Sequence, residues 1–216
     1  MDPVKPKRRY DSPRRREQAA ATRRAILEAA QKLFEQQGYA GTPMAALAAE
    51  AGVALKTVYV VFETKGGVLR ALWHLLLRGD DVDAPVGERT WYREVLDEPD
   101  PTRQLQLNAR NSRVVKERAG RLLGVIREAA PTEPDIEELW ERIQRDFYDN
   151  QRVIVESLAA KHALRSDLDV ERATDILWTL NHPDLWQLLA LQRGWTPAEY
   201  ERWFADTACA QLLRSE

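Results

Sequence analysis

Imidazole and thiol side chains, which can bind zinc or act as nucleophiles, are few, since the chain has three histidines and one cysteine. His74, His162 and His182 fall on three separate predicted helices, and no His-Glu-x-x-His spacing or cysteine pair completes a zinc site. Cys209 falls among apolar residues of the last predicted helix, which is typical of a small buried side chain. The sequence also has no phosphate-binding glycine loop and no nucleophile elbow. We therefore expect no metal, no cofactor and no enzymatic activity.

Basic side chains are concentrated in the first third of the chain. Residues 1–70 contain 13 Lys and Arg against 7 Asp and Glu, whereas residues 71–216 contain 19 against 27. This asymmetry predicts a polyanionic partner for the N-terminal part, with a solvated basic surface as the alternative. Five arginines would strengthen attraction to phosphates and its salt dependence: Arg14, Arg15, Arg16, Arg23 and Arg24.

Aromatic side chains are concentrated in the rest of the chain, because all seven tryptophans lie at Trp73 or later. They predict an aromatic pocket, although core or interface packing is the alternative for each. Asn181 lies beside Pro183, which is expected to kink a helix, and is the polar candidate for a ligand contact. The predicted ligand-binding residues are Trp91, Phe147, Trp178, Asn181 and Trp186, with Trp73 and Tyr92 as further pocket candidates.

Apolar periodicity predicts helices throughout and no strand. The first helix starts at Arg14 and stops at Gly38. A short helix over 43–51, with Thr42 as its N-cap, is separated by Gly52 from a third helix over 55–62. Two short helices around a glycine turn, packed on a longer one, form a helix-turn-helix. A fourth helix over 65–78 then connects to the second part of the chain.

Prolines and glycines divide that second part into further helices. They are predicted near 88–96, 102–119, 120–130, 135–164, 170–192 and 197–214. Within the helix over 170–192, Asn181 is expected to cap the half that restarts at Pro183. The longest apolar stretches fall far short of ~20 residues, so we expect no membrane span. The N-terminus is basic and lacks an apolar core, so we expect no export and a cytoplasmic location.

The helix-turn-helix region resembles the TetR family of bacterial transcriptional regulators. The resemblance is specific over about residues 14–78, and its residues occur in one register: Ile26, Ala29, Ala30, Leu33, Phe34, Gly38, Tyr39, Thr42, Leu47, Ala48, Ala51, Gly52, Val53, Lys56, Thr57, Val58, Tyr59, Phe62, Thr64 and Lys65. It implies an all-α protein with an N-terminal three-helix helix-turn-helix DNA-binding domain and a C-terminal helical domain for ligand binding and dimerisation. The expected divisions are a disordered basic arm over 1–13, the DNA-binding domain over 14–64 with its motif at about 43–62, a connecting helix over 65–78, and the effector-binding and dimerisation domain over 79–216.

The resemblance also implies DNA contacts at particular positions. Thr42, Tyr59 and Lys65 match phosphate contacts of the family, while Leu55, Lys56, Thr57 and Val60 match its base-reading surface. Packing against the first helix is the alternative for Tyr59. Three positions depart from the family pattern: Ala54 replaces a capping Ser or Thr, Lys56 replaces a frequent glycine, and Val60-Val61 replaces a polar or aromatic pair.

We therefore expect a ligand-responsive, sequence-specific transcriptional regulator, a repressor released from a palindromic operator by a small-molecule effector. Its expected partners are double-stranded operator DNA, an unidentified effector and a second copy of the chain, joined through the helices near 135–164 and 170–192. Two alternatives remain open. One is an enzyme or small-molecule carrier with an incidental basic domain, and the other is an activator or ligand-independent regulator.

Overall fold

The computed structural model describes residues 13–79 and 86–214. Its internal contacts separate two compact units, Met1–Val68 and Leu69–Glu216, called here the N-terminal and C-terminal units. The predicted disordered arm lies outside the described residues, except for the backbone of Pro13. No strand occurs in the described ranges. Their extended pairing is limited to an isolated bridge between Leu164 and Leu213.

The N-terminal unit is built from α1 (Pro13–Gln37), α2 (Met44–Glu50) and α3 (Leu55–Phe62), and α4 (Lys65–Arg78) starts in it. The limits predicted for α3 and α4 are confirmed to the residue. Inward side chains with no solvent exposure form its core: Ile26, Ala30, Phe34, Leu47 and Val58. Burying this apolar stripe of α1 against the two short helices supplies the stability that such short helices lack in isolation.

A tight turn sets the angle between α2 and α3. Gly52 has a φ of 66°, a left-handed conformation in which a side chain is strained. The Gly52 amide donates to the Ala49 carbonyl at 3.2 Å, and the Val53 amide donates to the Ala48 carbonyl at 3.0 Å. The two helices are bent by 109° at this turn, as expected for a helix-turn-helix.

The C-terminal unit begins in α4 and contains α5 (Thr90–Asp97), α6 (Pro101–Ala129), α7 (Pro134–Ala160), α8 (Val170–Leu180), α9 (Pro183–Trp186) and α10 (Pro197–Leu212). Short 3-10 turns occupy Val86–Glu88 and Ala130–Thr132, and a π-helical turn occupies Gln187–Gln192. The sequence did not predict this π-helical turn.

The prediction of two helices over 102–119 and 120–130 is wrong, because α6 runs through Gly120 without a break. A Cβ atom at Gly120 would lie 2.5 Å from Nε1 of the buried Trp186. The Gly120 carbonyl also accepts a hydrogen bond from Gln187 Nε2 at 2.6 Å. This glycine therefore allows close packing rather than ending a helix.

The helix predicted over 170–192 breaks at Pro183, as expected, but the capping residue differs. His182, not Asn181, caps α9, with its Nδ1 accepting from the Asp184 amide at 3.2 Å. Asn181 instead lies at the C-terminal end of α8. Its location leaves both its side chain and its carbonyl available for contacts with α6.

Within the described ranges, no single helix is long and apolar enough to cross a membrane; α2 and α3 reach that length only as one sharply bent pair. Across the same residues, no three His, Cys, Asp or Glu side chains converge on a point where a metal ion would bind.

Candidate nucleic-acid interface and candidate ligand cavity

One face of α3 carries exposed side chains while the other is buried. Leu55 is 41% exposed, Tyr59 48% and Val60 73%, and Lys56 is exposed beside them. Val58 and Phe62, on the opposite face, are 0% and 6% exposed. Four of the five base-reading or phosphate candidates on α3 thus share an outward surface, and Thr57 lies half-buried at its edge.

The start of α3 has no side-chain cap. Ala54 is the N-cap residue, in an extended conformation, and its methyl group accepts no hydrogen bond. This agrees with the weak cap expected where a Ser or Thr is replaced. At the other end, the Arg23 guanidinium of α1 lies 4.6 Å from the centre of the Phe62 ring, a cation–π contact that links α1 to α3.

Thr42 is placed differently from the prediction. Its side chain has no solvent exposure, and its hydroxyl donates to the Gly38 carbonyl at 2.8 Å. The N-cap of α2 is Pro43, so Thr42 neither caps this helix nor presents its hydroxyl at the surface. Its observed role is to close the corner between α1 and α2, which argues against a direct contact between this hydroxyl and a phosphate.

Lys65, at the first turn of α4, is half-buried against Tyr39. Its Nζ atom donates to the Tyr39 carbonyl at 2.9 Å and lies 4.0 Å from the centre of the Tyr39 ring. An ammonium group has three donor hydrogens. The carbonyl contact positions the group and uses only one of them.

A cavity of about 380 Å³ lies within the C-terminal unit. Its wall is formed by the C-terminal half of α4, by α5, α6 and α7, and by Asn181. Three of the five predicted ligand residues line it: Trp91, Phe147 and Asn181. Trp73 and Tyr92 also line it, and the Trp73 and Phe147 rings lie 6.2 Å apart.

The other two predicted ligand residues, Trp178 and Trp186, are not part of this wall. Trp186 is 4% exposed and packs edge-to-face on Tyr200, with ring centres 5.0 Å apart. Trp178 packs edge-to-face against Tyr148 and His182. Both tryptophans therefore serve helix packing, the alternative open for aromatic residues in this part of the chain.

The cavity also contains a polar group that the sequence analysis missed. Lys116 is 3% exposed, and its Nζ donates to Ser112 Oγ at 2.6 Å, to the Asn181 carbonyl at 2.9 Å and to Asn181 Oδ1. Burial lowers the pKa of Lys116 to about 7. A signal was present, because Ser112 and Lys116 continue the buried stripe of Leu105 and Ala109 along α6.

Further polar contacts hold the aromatic side of the cavity in place. The Tyr92 hydroxyl donates to the Asn150 carbonyl at 2.9 Å, and burial raises the pKa of Tyr92 to about 12. Asn111 Nδ2 donates to the Trp91 carbonyl at 2.7 Å. These bonds join α5 to α6 and α7, so the two aromatic residues of α5 are fixed by their neighbours.

Comparison with known proteins gives matches to transcriptional regulators. Residues 26–72 match the family model described as bacterial regulatory proteins, tetR family. Two proteins of Pseudomonas putida, the probable HTH-type transcriptional regulator ArpR and the HTH-type transcriptional regulator TtgR, are each 31% identical over 166 residues. Each alignment covers 74% of this chain and 76% of the relative.

The fold is also similar to a solved structure of NalD, described as the secondary repressor of the MexAB-OprM multidrug efflux pump in Pseudomonas aeruginosa. The TM-score is 0.71 at 21% identity, over 92% of this chain and all of NalD. The helix-turn-helix matches the family model, and the identity to the curated relatives extends well beyond that motif. The chain belongs to the TetR family of bacterial regulatory proteins and is a DNA-binding transcriptional regulator.

Proposed function

We propose that this regulator is a repressor that binds a palindromic operator as a homodimer and is released by a small-molecule effector. The observation that supports it most is the outward face of α3, with Leu55, Lys56, Tyr59 and Val60 exposed together. A helix of this kind fits the major groove, where side chains meet base edges. The domain divisions proposed are 14–64 for DNA binding, 65–78 as connector and 79–216 for the effector and the dimer.

Each side chain on this face has a proposed contact. The Lys56 ammonium donates to guanine O6 or N7, while Leu55, Thr57 and Val60 meet thymine methyl groups. Tyr59 and Lys65 contact phosphates, which position the helix without reading sequence. Lys56 is the one charged side chain among the four base-reading residues, so this surface favours an operator read largely through apolar contacts and DNA shape.

The proposed dimer joins two copies through the helices near 135–164 and 170–192, which are α7 and the segment from α8 to the π-helical turn, in a four-helix arrangement. Exposed apolar side chains support this choice, since Val153 on α7 is 41% exposed. Leu188 and Leu191, in the neighbouring π-helical turn, are 47% and 37% exposed. A symmetric dimer presents its two α3 helices to half-sites about 34–36 Å apart, one turn of DNA.

The effector is proposed to occupy the cavity of the C-terminal unit. One continuous helix, α4, carries Lys65 in its first turn and Trp73, His74, Leu77 and Arg78 on the cavity wall. An effector that favours a different position of this helix lowers operator affinity by linkage. A 100-fold preference for the non-binding state supplies about 2.7 kcal/mol of coupling.

The first experiment selects binding sites from a random duplex pool with the purified protein at two salt concentrations. We expect a palindrome with half-sites one helical turn apart, bound more weakly at the higher salt. Recovery of unrelated sequences with equal affinity would show that α3 does not read bases. The selected duplex then serves as the probe for effectors that release it.

Variants at α3 test the reading surface. Lys56→Ala should weaken binding to the selected duplex by about 10- to 100-fold and relax the preference at one base position. Lys32→Ala is the matched control, because Lys32 is an exposed lysine of the same unit that pairs with Glu50 at 2.6 Å. If both variants lose the same amount of DNA affinity at every salt concentration, Lys56 contributes only general charge attraction and does not read a base.

A further inference from the structure

The ammonium of Lys116 is buried in the cavity wall without an opposite charge. Its hydrogen-bond partners, Ser112 and Asn181, are neutral, and no Asp or Glu in the described ranges pairs with it. A buried charge is costly unless it is paired. The three acceptors satisfy the donor hydrogens of Lys116, but they leave its positive charge uncompensated.

We propose that the effector is a small aromatic acid whose carboxylate is bound by Lys116; this rests on the proposed function of the cavity as the effector site. Lys116, Ser112 and Asn181 all line the cavity, and so do the rings of Trp73, Trp91 and Phe147. An aromatic body packs against these rings while the carboxylate supplies the missing negative charge. A volume of about 380 Å³ holds a molecule with two fused rings and a short acidic arm.

The side chain of Asn181 is the part of the cluster that a carboxylate can replace. Its Oδ1 atom accepts hydrogen bonds from both Lys116 and the Ser112 hydroxyl. A carboxylate oxygen in place of this amide oxygen receives the same two donors, now with a charge-assisted bond to the ammonium. The carbonyl of Asn181 continues to hold Lys116 during this exchange.

Two carboxylates that also line the cavity, Asp146 and Asp149, would instead favour a cation, so the surroundings of each charge decide between the two ligand classes. Burial and the like charge of Asp149 raise the pKa of Asp146, while the positive charges of Arg142, Arg145 and His74 act to lower it. Asp146 thus already has basic neighbours, whereas Lys116 has no acidic one. Asp146 and Asp149 are exposed to solvent, whereas Lys116 is 3% exposed, so the buried charge without an opposite partner is positive and favours an anion.

The test measures binding of three probes of similar shape to the full-length, DNA-free protein by isothermal titration calorimetry. The probes are 2-naphthylacetate, 2-naphthylacetamide and 2-(2-naphthyl)ethylammonium. We expect the acetate to bind at least tenfold more tightly than the amide, and the ammonium to bind most weakly. Equal affinity of acetate and amide, tightest binding of the ammonium, or no binding of any probe would overturn the proposal.

Substitution of the lysine identifies the group responsible. Lys116→Met should abolish the preference for acetate over amide while leaving amide binding within about threefold. Lys161→Met is the matched control, since Lys161 is a half-buried lysine outside the cavity wall that donates to the Glu98 carbonyl and to Gln104. A preference for acetate that survives Lys116→Met would overturn the assignment.

Proton uptake gives a second readout, which is measured first on the wild-type protein. At pH 8 an uncompensated Lys116 is largely neutral, so acetate binding should take up a fraction of a proton approaching one, measured from buffers of different ionisation enthalpy. Other titratable or charged groups share the cavity or act on Lys116: His74, Arg78, Tyr92, Asp146, Asp149, His182 and Tyr200. They are unchanged in Lys116→Met, so loss of uptake in that variant assigns the proton to the lysine.

These measurements contain no DNA, and their failure is separable from failure of the proposed function. If the protein selects a palindromic operator but does not prefer the acetate probe, the proposed ligand class is wrong and the proposed operator binding stands. If the protein prefers the acetate probe but selects no operator, the ligand site stands and the DNA-reading role is wrong.

Discussion

The two units differ in where they keep the polar side chains on which binding depends. In the described residues of the N-terminal unit, Thr42 is the fully buried polar side chain, and the candidate DNA contacts of α3 lie outside. Over residues 69–79 and 86–214, the C-terminal unit buries seven polar or charged side chains: Arg89, Gln104, Asn108, Ser112, Lys116, Gln151 and Thr174. An outer surface binds its partner at little cost to stability, whereas a cavity with buried polar groups carries a desolvation cost that a ligand can relieve.

The largest effect should come from the buried charge of Lys116. Its pKa is about 7 in the folded protein and near 10.5 when exposed, so the folded state favours the neutral form. The resulting stabilisation is complete above pH 10.5 and is lost as the pH falls through about 7. From pH 6 to pH 9, the free energy of unfolding should rise by about 2–3 kcal/mol more in the wild type than in Lys116→Met. Urea denaturation of both proteins measures this difference, and parallel pH profiles would contradict it.

A pair of glycines on α6 tests the packing side of the comparison. Gly120→Ala should lower the free energy of unfolding by about 1–2 kcal/mol, because the new methyl group meets the rigid indole of Trp186. Gly124→Ala is the control one turn later, where the methyl group meets the movable end of Gln187 at 2.9 Å. Its better helix propensity should keep stability within about 0.5 kcal/mol of the wild type. Equal losses would mean that α6 moves as readily near Trp186 as near Gln187.

In the N-terminal unit, Thr42 is the exception to the outward placement of polar groups. Thr42→Val removes the hydroxyl that donates to the Gly38 carbonyl, so stability should fall by about 1 kcal/mol. Affinity for the selected duplex, measured well below the melting temperature, should be unchanged. A loss of affinity without a loss of stability would restore the phosphate contact implied by the family resemblance.

The smallest effect concerns the uncapped start of α3. Ala54→Ser places a hydroxyl where it can accept from the amide of Thr57, and it should stabilise the unit by about 0.5 kcal/mol. Slower amide hydrogen exchange along α3 measures the gain, with Ala54→Val as a variant of similar position and no acceptor. Faster exchange in the serine variant would show that the helix start needs the apolar side chain.

The predictability of the two units follows from the range of the interactions involved. The limits of α3 depend on local signals, Gly52 before the helix and the inward positions of Val58 and Phe62, so the sequence predicts this helix to the residue. Gly120 has the residue type that ends many helices, so the local sequence predicts a helix end there. Its observed role is instead to leave room for Trp186, which lies 66 residues further along the chain. Long-range packing of this kind leaves no mark within a window of a few residues.

The same reasoning explains the outcome for the candidate residues. The outward face of α3 follows from helical periodicity alone, and four of its predicted contacts lie exposed together. Residue type did not separate cavity aromatics from core aromatics, so Trp91 and Phe147 line the cavity while Trp178 and Trp186 pack against other rings. Lys116 was missed because a lysine on a long helix is expected at the surface.

The break at Pro183 has a consequence for how the proposed ligand site can change in evolution. In an unbroken helix the Asn181 carbonyl would accept from the amide of residue 185, but the Leu185 amide donates to the His182 carbonyl at 3.1 Å. The Asn181 carbonyl is thereby left for Lys116, whatever side chain stands at position 181. A substitution at position 181 can change the side-chain acceptor of Lys116, but it leaves this backbone acceptor in place. A mutation that replaces Pro183 and makes the helix continuous would remove a backbone acceptor from Lys116, so the proposed ligand site depends on a residue that does not line the cavity.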